Sequence, residues 1–467
     1  MTLKFGTDGW RAIIGEEFTF ANVRRMASGI ARAMREAGGA TSGAAVVGYD
    51  TRFLSRRFAE AAAETFMGAG VRVTLADQPC PTPAASCQVV ATGAGFAVVI
   101  TASHNPAAYN GVKVKDRTGS SAGQELTAAC ESRIPAELPA ALSLELGRSR
   151  GLLDEGSFRE AHRDRLARMV DLDAIRRSGL KVVTDPMHGA CGTILAELLK
   201  DGSATVATLH PEPDPLFGGL HPEPLEQNLE ELRRAVTASG ADVGFATDGD
   251  GDRIGAFDEK GQFISPLRIA PLLALSLLKK GRRGPLGKTF ANTLLLDRIA
   301  KHHGLPFSVF PVGFKYIAGE MRAGRMLLGG EESGGIGVEG YIPERDGTLV
   351  SLMLLQAMVD EGKPLSEIVA HMTRQFGELH YRRRDLACAP EEGRRLVERL
   401  KVRPPATLGG MKVTGYDDLD GLKLLFGDEG WILFRASGTE PVLRVYSEAP
   451  TLDRLDAVMH EALSLFP

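Results

Sequence analysis

Apolar, strand-like runs alternate with helical patterns through most of this chain. Residues 21–38 carry apolar side chains at helical spacing, and the following run, 44–52, is typical of a buried strand that ends at Asp50. A strand with a polar or glycine-rich end recurs at residues 180–192, 241–253 and 288–304. Strands that alternate with helices predict an α/β fold with parallel sheets covered on both faces, where ligands collect at the carboxyl ends of the strands.

The last part of the chain has a different pattern. Residues 375–467 contain two strand-like runs around a polar turn, followed by a final helix, which predicts a smaller α+β domain. Polar or Pro/Gly-containing stretches near residues 147, 255 and 374 mark the boundaries. The predicted domains are therefore 1–147, 148–255, 256–374 and 375–467.

Composition and charge narrow the class of protein. The chain has 467 residues, 43% of them hydrophobic and 24% charged, as expected for a globular protein of about two to four domains. Its formal net charge of -4 and the lack of a Lys/Arg-rich block argue against a nucleic-acid partner, whereas small phosphorylated metabolites need only a local positive cluster. The longest apolar run, 269–278, is too short for a membrane span. Scattered cysteines and an N-terminus without an apolar signal core predict a cytoplasmic protein.

The stretch "TASHNP", residues 101–106, follows the apolar run 95–100. A turn in which the Thr, Ser and Asn side chains bond their own backbone would explain it. A reactive group held at a strand end would explain it as well, although Ser103 lacks the G-x-S-x-G context of a hydrolase nucleophile. The adjacent His104 is poorly placed as its base, because neighbouring side chains diverge. The residues alone leave both interpretations open.

The stretch "TDGDGDR", residues 247–253, alternates aspartates with glycines. This spacing lets the backbone curl and aim three carboxylates, Asp248, Asp250 and Asp252, at one point, where a hard cation such as Mg²⁺ would relieve their repulsion. A calcium EF-hand is excluded because Arg253 stands where that loop needs glycine and because the preceding run predicts a strand. An acidic, solvated turn is the remaining alternative.

Two further glycine-containing loops carry polar groups. In "GGEESGGIG", residues 329–337, the carboxylates of Glu331 and Glu332 suit the hydroxyl donors of a sugar, although a surface turn would have the same composition. In "RASGTEPVLR", residues 435–444, two guanidinium groups, two hydroxyls and loop amides suit a phosphate, with a plain hairpin turn as the alternative.

Taken together, these loops resemble those of the α-D-phosphohexomutase family, in the family's order and over nearly the whole chain. "TASHNP" is similar to its phosphoserine loop, "DGDGD" to its metal loop, "GEESGG" to its sugar loop and "RASGTEP" to its phosphate loop. "FGTDGWR" at the N-terminus and "NGVK" after the serine match as well. The resemblance implies three similar α/β domains with mixed, largely parallel sheets and a smaller α+β C-terminal domain, arranged around a central cleft.

The resemblance also implies a reaction. A phosphoserine at Ser103 would donate to a hexose monophosphate, and the bound 1,6-bisphosphate would turn over and return its other phosphate. One Mg²⁺ per chain and glucose 1,6-bisphosphate as activator are implied; the expected partners are sugar phosphates, with no nucleic acid and no membrane, and the oligomeric state is left open. Lys113 and Arg11 match positions near the reacting phosphate, and Lys113 is a candidate general acid/base with a pKa tuned by neighbouring charges. The catalytic set is Ser103, Lys113, Arg11, His104, Arg253 and Lys315; the metal set is Ser103, Asp248, Asp250 and Asp252; the substrate-binding set is Glu331, Glu332, Ser333, Gly334, Arg435, Ser437, Gly438, Thr439 and Arg444.

The sugar loop bears on which hexose is used. Enzymes of relaxed specificity between glucose and mannose usually end this loop in Gly-His, where this chain has Gly335, and phosphoglucosamine mutases usually carry Gln at the position of Glu332. The "EES" core and "PVGFKYI", residues 311–317, resemble the phosphoglucomutase branch, so glucose is favoured, with mannose second. The missing histidine makes Lys315 a candidate for the acid/base role. A metal-dependent phosphatase and a non-catalytic sugar-phosphate sensor remain as alternatives.

Overall fold

Four sheets of four to six strands follow one another along the part of the chain that the computed structural model describes, residues 3–6, 8–38, 43–436 and 441–466. Each sheet is the centre of one structural unit, and we refer to the first, second, third and C-terminal units. The first three have mixed sheets flanked by helices, and the fourth is antiparallel. This is the α/β architecture expected from the sequence.

The first unit is a six-stranded sheet in the order β1-β5-β4-β2-β3-β6. Its centre is β4, whose sequence Phe-Ala-Val-Val-Ile is buried at every position, as expected for a strand covered on both faces. The sheet continues to Gly156, beyond the predicted boundary at 147, because β6 pairs in parallel with β3. Its elements are β1 (Trp10–Ile13), α1 (Phe20–Gly38), β2 (Ala44–Tyr49), α2 (Ser55–Gly68), β3 (Arg72–Ala76), α3 (Thr82–Thr92), β4 (Phe96–Ile100), β5 (Tyr109–Asp116), α4 (Gln124–Ser132), α5 (Leu144–Ser149) and β6 (Leu153–Gly156).

The second unit has five strands in the order β11-β10-β9-β7-β8. The two strands on either side of the acidic loop, β9 and β10, are antiparallel neighbours, so that loop is the connection of a hairpin. The hairpin carries the sheet to Ile264, beyond the predicted boundary at 255. The elements are α6 (Arg159–Ala167), α7 (Leu172–Arg176), β7 (Lys181–Asp185), α8 (Ile194–Leu199), β8 (Thr205–Thr208), α9 (Glu230–Ser239), β9 (Val243–Thr247), β10 (Ile254–Asp258) and β11 (Phe263–Ile264), with 3-10 turns at Phe217–Gly219 and Glu226–Asn228.

The third unit has four strands in the order β13-β12-β14-β15. Its longest helix, α13, begins at the side chain of Asp346, which accepts hydrogen bonds from the backbone N–H groups of Thr348 and Leu349, and it ends at Gly362 in the left-handed conformation. The elements are α10 (Pro266–Lys279), β12 (Leu286–Thr289), α11 (Leu295–His302), β13 (Phe307–Phe310), α12 (Phe314–Arg322), β14 (Leu328–Gly330), β15 (Ile336–Val338), α13 (Gly347–Glu361) and α14 (Leu365–Phe376).

The C-terminal unit is an antiparallel sheet in the order β16-β22-β21-β20-β19, with a small β17-β18 ladder beside it. The predicted pair of strands and the final helix are β21, β22 and α16. The sequence pattern missed β16 to β20 and α15; in β16 three consecutive polar side chains are exposed, so the strand lacks a simple alternation of buried and exposed positions. The elements are β16 (His380–Ala387), α15 (Pro390–Val402), β17 (Thr407–Leu408), β18 (Met411–Lys412), β19 (Gly415–Asp417), β20 (Leu422–Leu425), β21 (Trp431–Ala436), β22 (Val442–Ala449) and α16 (Leu452–Ser464).

The second and third units share one hydrophobic core. Side chains from β9 and β10, such as Phe245 and Ile254, pack in the same cluster as Leu349 and Leu352 of α13. The C-terminal unit has its own core, and it meets the third unit through a small cluster that includes Phe290 and Trp431. The packing therefore joins the second and third units in one body, whereas the first and C-terminal units each have a core of their own.

Asp346 also joins the first three units. Its Oδ2 accepts from the hydroxyl of Tyr341 at 2.6 Å and lies 2.6 Å from Nε2 of His162 in the second unit. The hydroxyl of Tyr341 is in turn 3.5 Å from the thiol of Cys87 in the first unit. Within the described residues, no helix is both long enough and apolar enough to cross a membrane.

Candidate active site

Ser103 lies just beyond the carboxyl end of β4, in the serine loop, residues 101–109, with its hydroxyl directed at the second unit. Its Oγ donates to Oδ2 of Asp248 over 2.7 Å, and its backbone N–H donates to Oγ1 of Thr101 over 2.8 Å. The φ angle of Ser103 is 53°, in the left-handed region that residues other than glycine seldom adopt. Gly249 permits the close approach, because a Cβ there would lie 2.7 Å from the carbonyl oxygen of Ser103. The serine and the acidic loop predicted from separate motifs therefore meet.

Asp248, Asp250 and Asp252 form one buried cluster in the turn between β9 and β10. Three carboxylate oxygens, one from each residue, lie within 4.8 Å of one another. One oxygen of Asp250 and one of Asp252 are buried without a hydrogen-bond partner in the described part of the chain. Burial and the two neighbouring carboxylates raise the pKa of Asp248 well above its usual range. Such a cluster is compatible with a metal site, because a divalent cation would satisfy the unpaired oxygens and offset the repulsion.

Lys113, on β5, places a positive charge beside this cluster. Its Nζ lies 2.7 Å from carboxylate oxygens of Asp250 and Asp252 and 3.1 Å from Asp8. Burial alone would lower the pKa of Lys113, but the three carboxylates raise it above its ordinary value. For Asp250 the effects are reversed. Burial alone would raise the pKa of Asp250, but the charge of Lys113 holds that pKa below its usual range. This arrangement favours a protonated ammonium that can attract an anion, and the raised pKa makes loss of its proton harder.

Arg11, His104 and Arg253 lie on or beside the serine loop and the metal loop. Nη1 of Arg11 donates to Oδ1 of Asn105 over 2.7 Å, and Nη1 of Arg253 donates to Oε1 of Glu223 over 3.2 Å. Burial, with Arg253 and Arg11, holds the pKa of His104 well below its usual range, so its imidazole is neutral. The two arginines add positive charge at this end of the cleft.

The sugar loop, residues 329–337, packs against the metal-loop hairpin. Gly334 has a φ of 99°, and a Cβ there would lie 2.8 Å from the carbonyl oxygen of Ile254 in β10. The carboxylate of Glu331 is buried, and burial raises its pKa to about 7. Glu332 accepts a hydrogen bond from the hydroxyl of Thr289 over 2.8 Å. The loop thus presents the carboxylate of Glu331, whose pKa is near neutral, and the carboxylate of Glu332, which is hydrogen-bonded within the third unit.

Arg345 connects the sugar loop with the metal loop. Its Nη2 lies 2.8 Å from Oδ2 of Asp252 and also pairs with Asp8, while its Nη1 lies 3.2 Å from Oε2 of Glu331. Nε of the same side chain lies 3.3 Å from Glu344. One buried guanidinium therefore bridges carboxylates from the first, second and third units, and the motif search did not single it out.

Lys315 takes a different position from the other predicted catalytic residues. Its ammonium lies 5.2 Å from the centre of the Tyr316 ring, and the side chain lines a small cavity together with Gly9 and Ser121 of the first unit. Within the described residues, no hydrogen bond or ion pair joins it to the metal loop or to Ser103. It faces the N-terminal segment instead.

The phosphate loop contributes two arginines on neighbouring strands. Arg435 on β21 and Arg444 on β22 are directly opposite each other in the sheet register. Nε of Arg435 donates to Oδ2 of Asp420 over 2.9 Å, and Nε of Arg444 lies 3.6 Å from Asp385 on β16. Ser437, Gly438 and Thr439 lie outside the described residues, so their predicted role stays a prediction.

A cavity of about 1030 Å³ opens between the second, third and C-terminal units. Glu332 and Ser333 of the sugar loop line it together with Tyr381 and Arg383 of β16. Arg435 lines a separate recess of about 220 Å³ with Asp420 and Arg394. The large cavity has the size of a small-molecule site, and carboxylates and guanidinium groups line it from opposite units.

Comparison with known proteins decides the family. Four models described as phosphoglucomutase/phosphomannomutase α/β/α domains I, II and III and the C-terminal domain match residues 2–140, 160–261, 266–376 and 391–465. The chain belongs to the phosphoglucomutase/phosphomannomutase family. This phosphohexomutase is accordingly an enzyme, an intramolecular phosphotransferase of the isomerase class.

Relatives of this phosphohexomutase include more than one substrate branch. A phosphoglucomutase/phosphomannomutase of Thermococcus kodakarensis is 33% identical over 96% of this chain and 95% of its own. A phosphoglucosamine mutase of Frankia casuarinae is 32% identical over 99% of both. A crystal structure from Thermus thermophilus, provisionally described as a phosphomannomutase, shares 36% identity and a TM-score of 0.87 over 100% of this chain and 99% of its own.

Two functional features of this phosphohexomutase were missed by the motif search. Asp8 stands within the N-terminal motif "FGTDGWR", but nothing in that motif indicates its pairing with Lys113 and Arg345. The charged run Glu344-Arg345-Asp346 directly before an apolar helix was the available signal. It is typical of a helix start, and only the tertiary structure adds the second role.

Proposed function

We propose that this phosphohexomutase interconverts hexose 1-phosphate and hexose 6-phosphate through a phosphoserine at Ser103, with glucose as its preferred sugar. The observation that carries the proposal is the 2.7 Å hydrogen bond from Oγ of Ser103 to Asp248. It joins a hydroxyl of the serine loop, a group that can carry a phosphoryl group, to a cluster of three carboxylates on another unit.

The proposed enzyme binds one Mg²⁺ through Asp248, Asp250 and Asp252, with the phosphoryl group of Ser103 as a further ligand. The unpartnered carboxylate oxygens of Asp250 and Asp252 support this set, since they are hard oxygen ligands without another use. When bound, such an ion neutralises charge on a phosphoryl group and so assists its transfer.

The remaining chemistry falls to side chains of the chain. Lys113 and Arg11 attract the reacting phosphate, and the charged ammonium of Lys113 lies 2.7 Å from carboxylate oxygens of Asp250 and Asp252. Glu331 and Ser333 accept and orient sugar hydroxyls in both orientations of the bisphosphate. Arg435 and Arg444, with Ser437 and Thr439, hold the phosphate that is not reacting.

Glucose is proposed from the "EES" core of the sugar loop and from "PVGFKYI" at residues 311–317. Mannose is the second candidate and glucosamine the third, because relatives over most of the chain include a phosphoglucomutase/phosphomannomutase and phosphoglucosamine mutases. Glu332 bears on the choice of sugar because it lines the large cavity. Its carboxylate is also a good acceptor for the hydrogen bond from the hydroxyl of Thr289.

Incubation of the protein with glucose 1,6-bisphosphate, followed by intact-mass and peptide analysis, tests the phosphoserine. We expect one phosphoryl group on Ser103, and a label found only elsewhere would contradict the proposal. Mutase rates with glucose, mannose and glucosamine 1-phosphates then rank the sugars. Steady release of free phosphate would indicate a phosphatase, and ligand binding with no turnover and no label would indicate a sensor.

A further inference from the structure

Arg52 is buried directly behind the serine loop and uses its whole guanidinium group there. It follows β2, its side chain is inaccessible to solvent, and its Nε donates to Oδ2 of Asp50 over 3.1 Å. The four remaining N–H groups point at four backbone carbonyls of the serine loop. These carbonyls belong to Ser103 (2.6 Å), Asn105 (2.6 Å), Pro106 (2.8 Å) and Tyr109 (3.0 Å).

These contacts account for the shape of the serine loop. Carbonyl groups that converge on one buried point would be costly without donors, and Arg52 supplies one for each. Ser103 itself is held in the left-handed region, which an L residue adopts only when its surroundings impose it. Arg52 holds the carbonyl of Ser103, and Thr101 holds its N–H, so the backbone on both sides of the serine is fixed.

Arg52 also contacts the second unit. Its guanidinium carbon lies 4.8 Å from the centre of the Phe217 ring, in a cation–π arrangement. The same ring packs near Gly249 of the metal loop, about 3.4 Å from where a Cβ would stand. One side chain thus contacts the serine loop and the ring that supports the metal loop.

The position of Arg52 is itself secured by Asp50. That carboxylate accepts from the backbone N–H of Arg52 over 3.0 Å and from the hydroxyl of Ser55 over 2.7 Å. Asn110 of β5, just after the serine loop, donates to Ser55 over 2.9 Å. The network closes on itself and leaves Arg52 a single orientation.

We propose that Arg52 is a positioning residue, which fixes the serine loop so that Oγ of Ser103 faces the carboxylate cluster of the metal loop. The proposal rests on the proposed role of Ser103 as phosphoryl carrier. In the step concerned, Oγ bonds to phosphorus, the bond from phosphorus to a sugar oxygen of the bisphosphate breaks, and the serine proton passes to that oxygen. All five N–H groups of Arg52 are taken by Asp50 and the serine loop, which leaves none for the sugar or the phosphate.

The test compares Arg52→Lys and Arg52→Ala with Arg25→Ala, which removes a guanidinium contact to the carbonyl of Pro135 in the same unit, away from the site. We expect Arg52→Lys, which keeps the buried charge but loses the fork of donors, to slow single-turnover labelling of Ser103 about a hundredfold. Its kcat should fall with little change in KM, since the sugar and phosphate loops are intact. Added guanidinium ion should restore part of the labelling rate of Arg52→Ala, and Arg25→Ala should behave like wild type.

The outcomes separate the two proposals. A wild-type protein that takes no phosphoryl group on Ser103 would overturn the phosphoserine mechanism and the role of Arg52 with it. Normal labelling of wild type together with equally fast labelling of Arg52→Lys would overturn the role of Arg52 alone. A loss in Arg52→Lys that only tracks its melting temperature, matched by an equal loss at equal destabilisation in Arg25→Ala, would show that Arg52 is merely structural.

Discussion

The side chain of Arg345 fills the space into which a side chain at position 335 would project. A Cβ on Gly335 would lie 2.8 Å from Oε2 of Glu331 and closer still to Cδ of Arg345. Glycine at 335 and arginine at 345 therefore depend on each other. A histidine at this end of the sugar loop would displace the guanidinium that bridges Glu331 and Asp252.

Gly335→Ala should consequently lower kcat/KM by pushing Arg345 away from its carboxylates. Loss of a hydrogen bond to a charged group is worth about 1.5–3 kcal/mol, or about ten- to a hundredfold in kcat/KM. The double variant Gly335→Ala/Arg345→Ala should lose little more than Arg345→Ala alone, because the clash with Arg345 is gone and only the contact with the end of the Glu331 side chain remains. Additive losses in this cycle would show that the two positions act independently.

Asp250→Asn should lower kcat by about two to three orders of magnitude, since it removes a charged ligand from a cluster expected to offset several kcal/mol of transition-state charge. Added Mg²⁺ should raise the melting temperature of wild type by relieving the repulsion among the three aspartates, and it should raise that of the variant less. Thermal melts with and without Mg²⁺ measure this. Equal shifts in the two proteins would contradict the assignment.

Glu331 should make substrate binding pH-dependent. Burial raises its pKa to about 7, so protonation on lowering the pH from 8 to 6 weakens the acceptor for a sugar hydroxyl and removes the charge that pairs with Arg345. KM should rise as the pH falls from 8 to 6. The sugar phosphate titrates near pH 6 as well, so Glu331→Gln is the control, and its KM should follow only the substrate's own titration. Identical KM profiles in the two proteins would count against a role for Glu331 ionisation.

Lys423 should make stability depend on pH. It is buried on β20, its Nζ donates to the carbonyl of Phe290 over 2.7 Å, and burial, followed by repulsion from Lys288, lowers its pKa to about 7. Because the ordinary value is 10.5, the unfolded chain binds more protons between about pH 7 and 10, and stability should increase with pH in that window. Lys423→Met should reduce this slope by at most about 1.4 kcal/mol per pH unit. Urea denaturation at pH 7, 8 and 9 measures it, with exposed Lys412→Met as control; an unchanged slope would refute the assignment.

Arg435→Ala should lower kcat/KM in the forward and reverse directions together, by about ten- to a hundredfold. The guanidinium is expected to hold whichever phosphate is not reacting, so release of the bisphosphate should increase as well. Labelling of Ser103 should survive, because the serine lies in another unit. Arg394→Ala, which changes the same recess but removes only an exposed pair with Glu391, is the matched control. Loss of labelling, or unchanged rates in both directions, would show that Arg435 is not the phosphate anchor.

The sequence predicted the α/β architecture and the four chemical loops because these are local patterns. Buried β4 with polar residues after it, and aspartates alternating with glycine before β10, are visible within a dozen residues. Long-range pairings are not. The strand β6 joins the first sheet only through β3, and β10 extends the second sheet as an antiparallel hairpin, so the units end later than the predicted boundaries at 147 and 255.

The same limit applies to the site. Arg52 and Arg345 act through contacts with residues far along the chain, and neither stands in a recognisable motif. The pKa of Lys113 depends on three carboxylates from two units, so its direction could not be read from "NGVK". The place of Lys315 in "PVGFKYI" likewise did not reveal that its side chain faces the N-terminal segment.

The core shared by the second and third units has a consequence for gene shuffling among relatives. A chimaera that exchanged the second unit alone would have to match Phe245 and Ile254 to foreign partners in α13, and a poor match would leave cavities in the largest core of the molecule. The C-terminal unit, with a core of its own and a small contact around Trp431, offers a far more permissive crossover point. Recombination that grafts a new C-terminal unit onto the first three should therefore yield folded progeny, whereas crossovers between β10 and α13 should not.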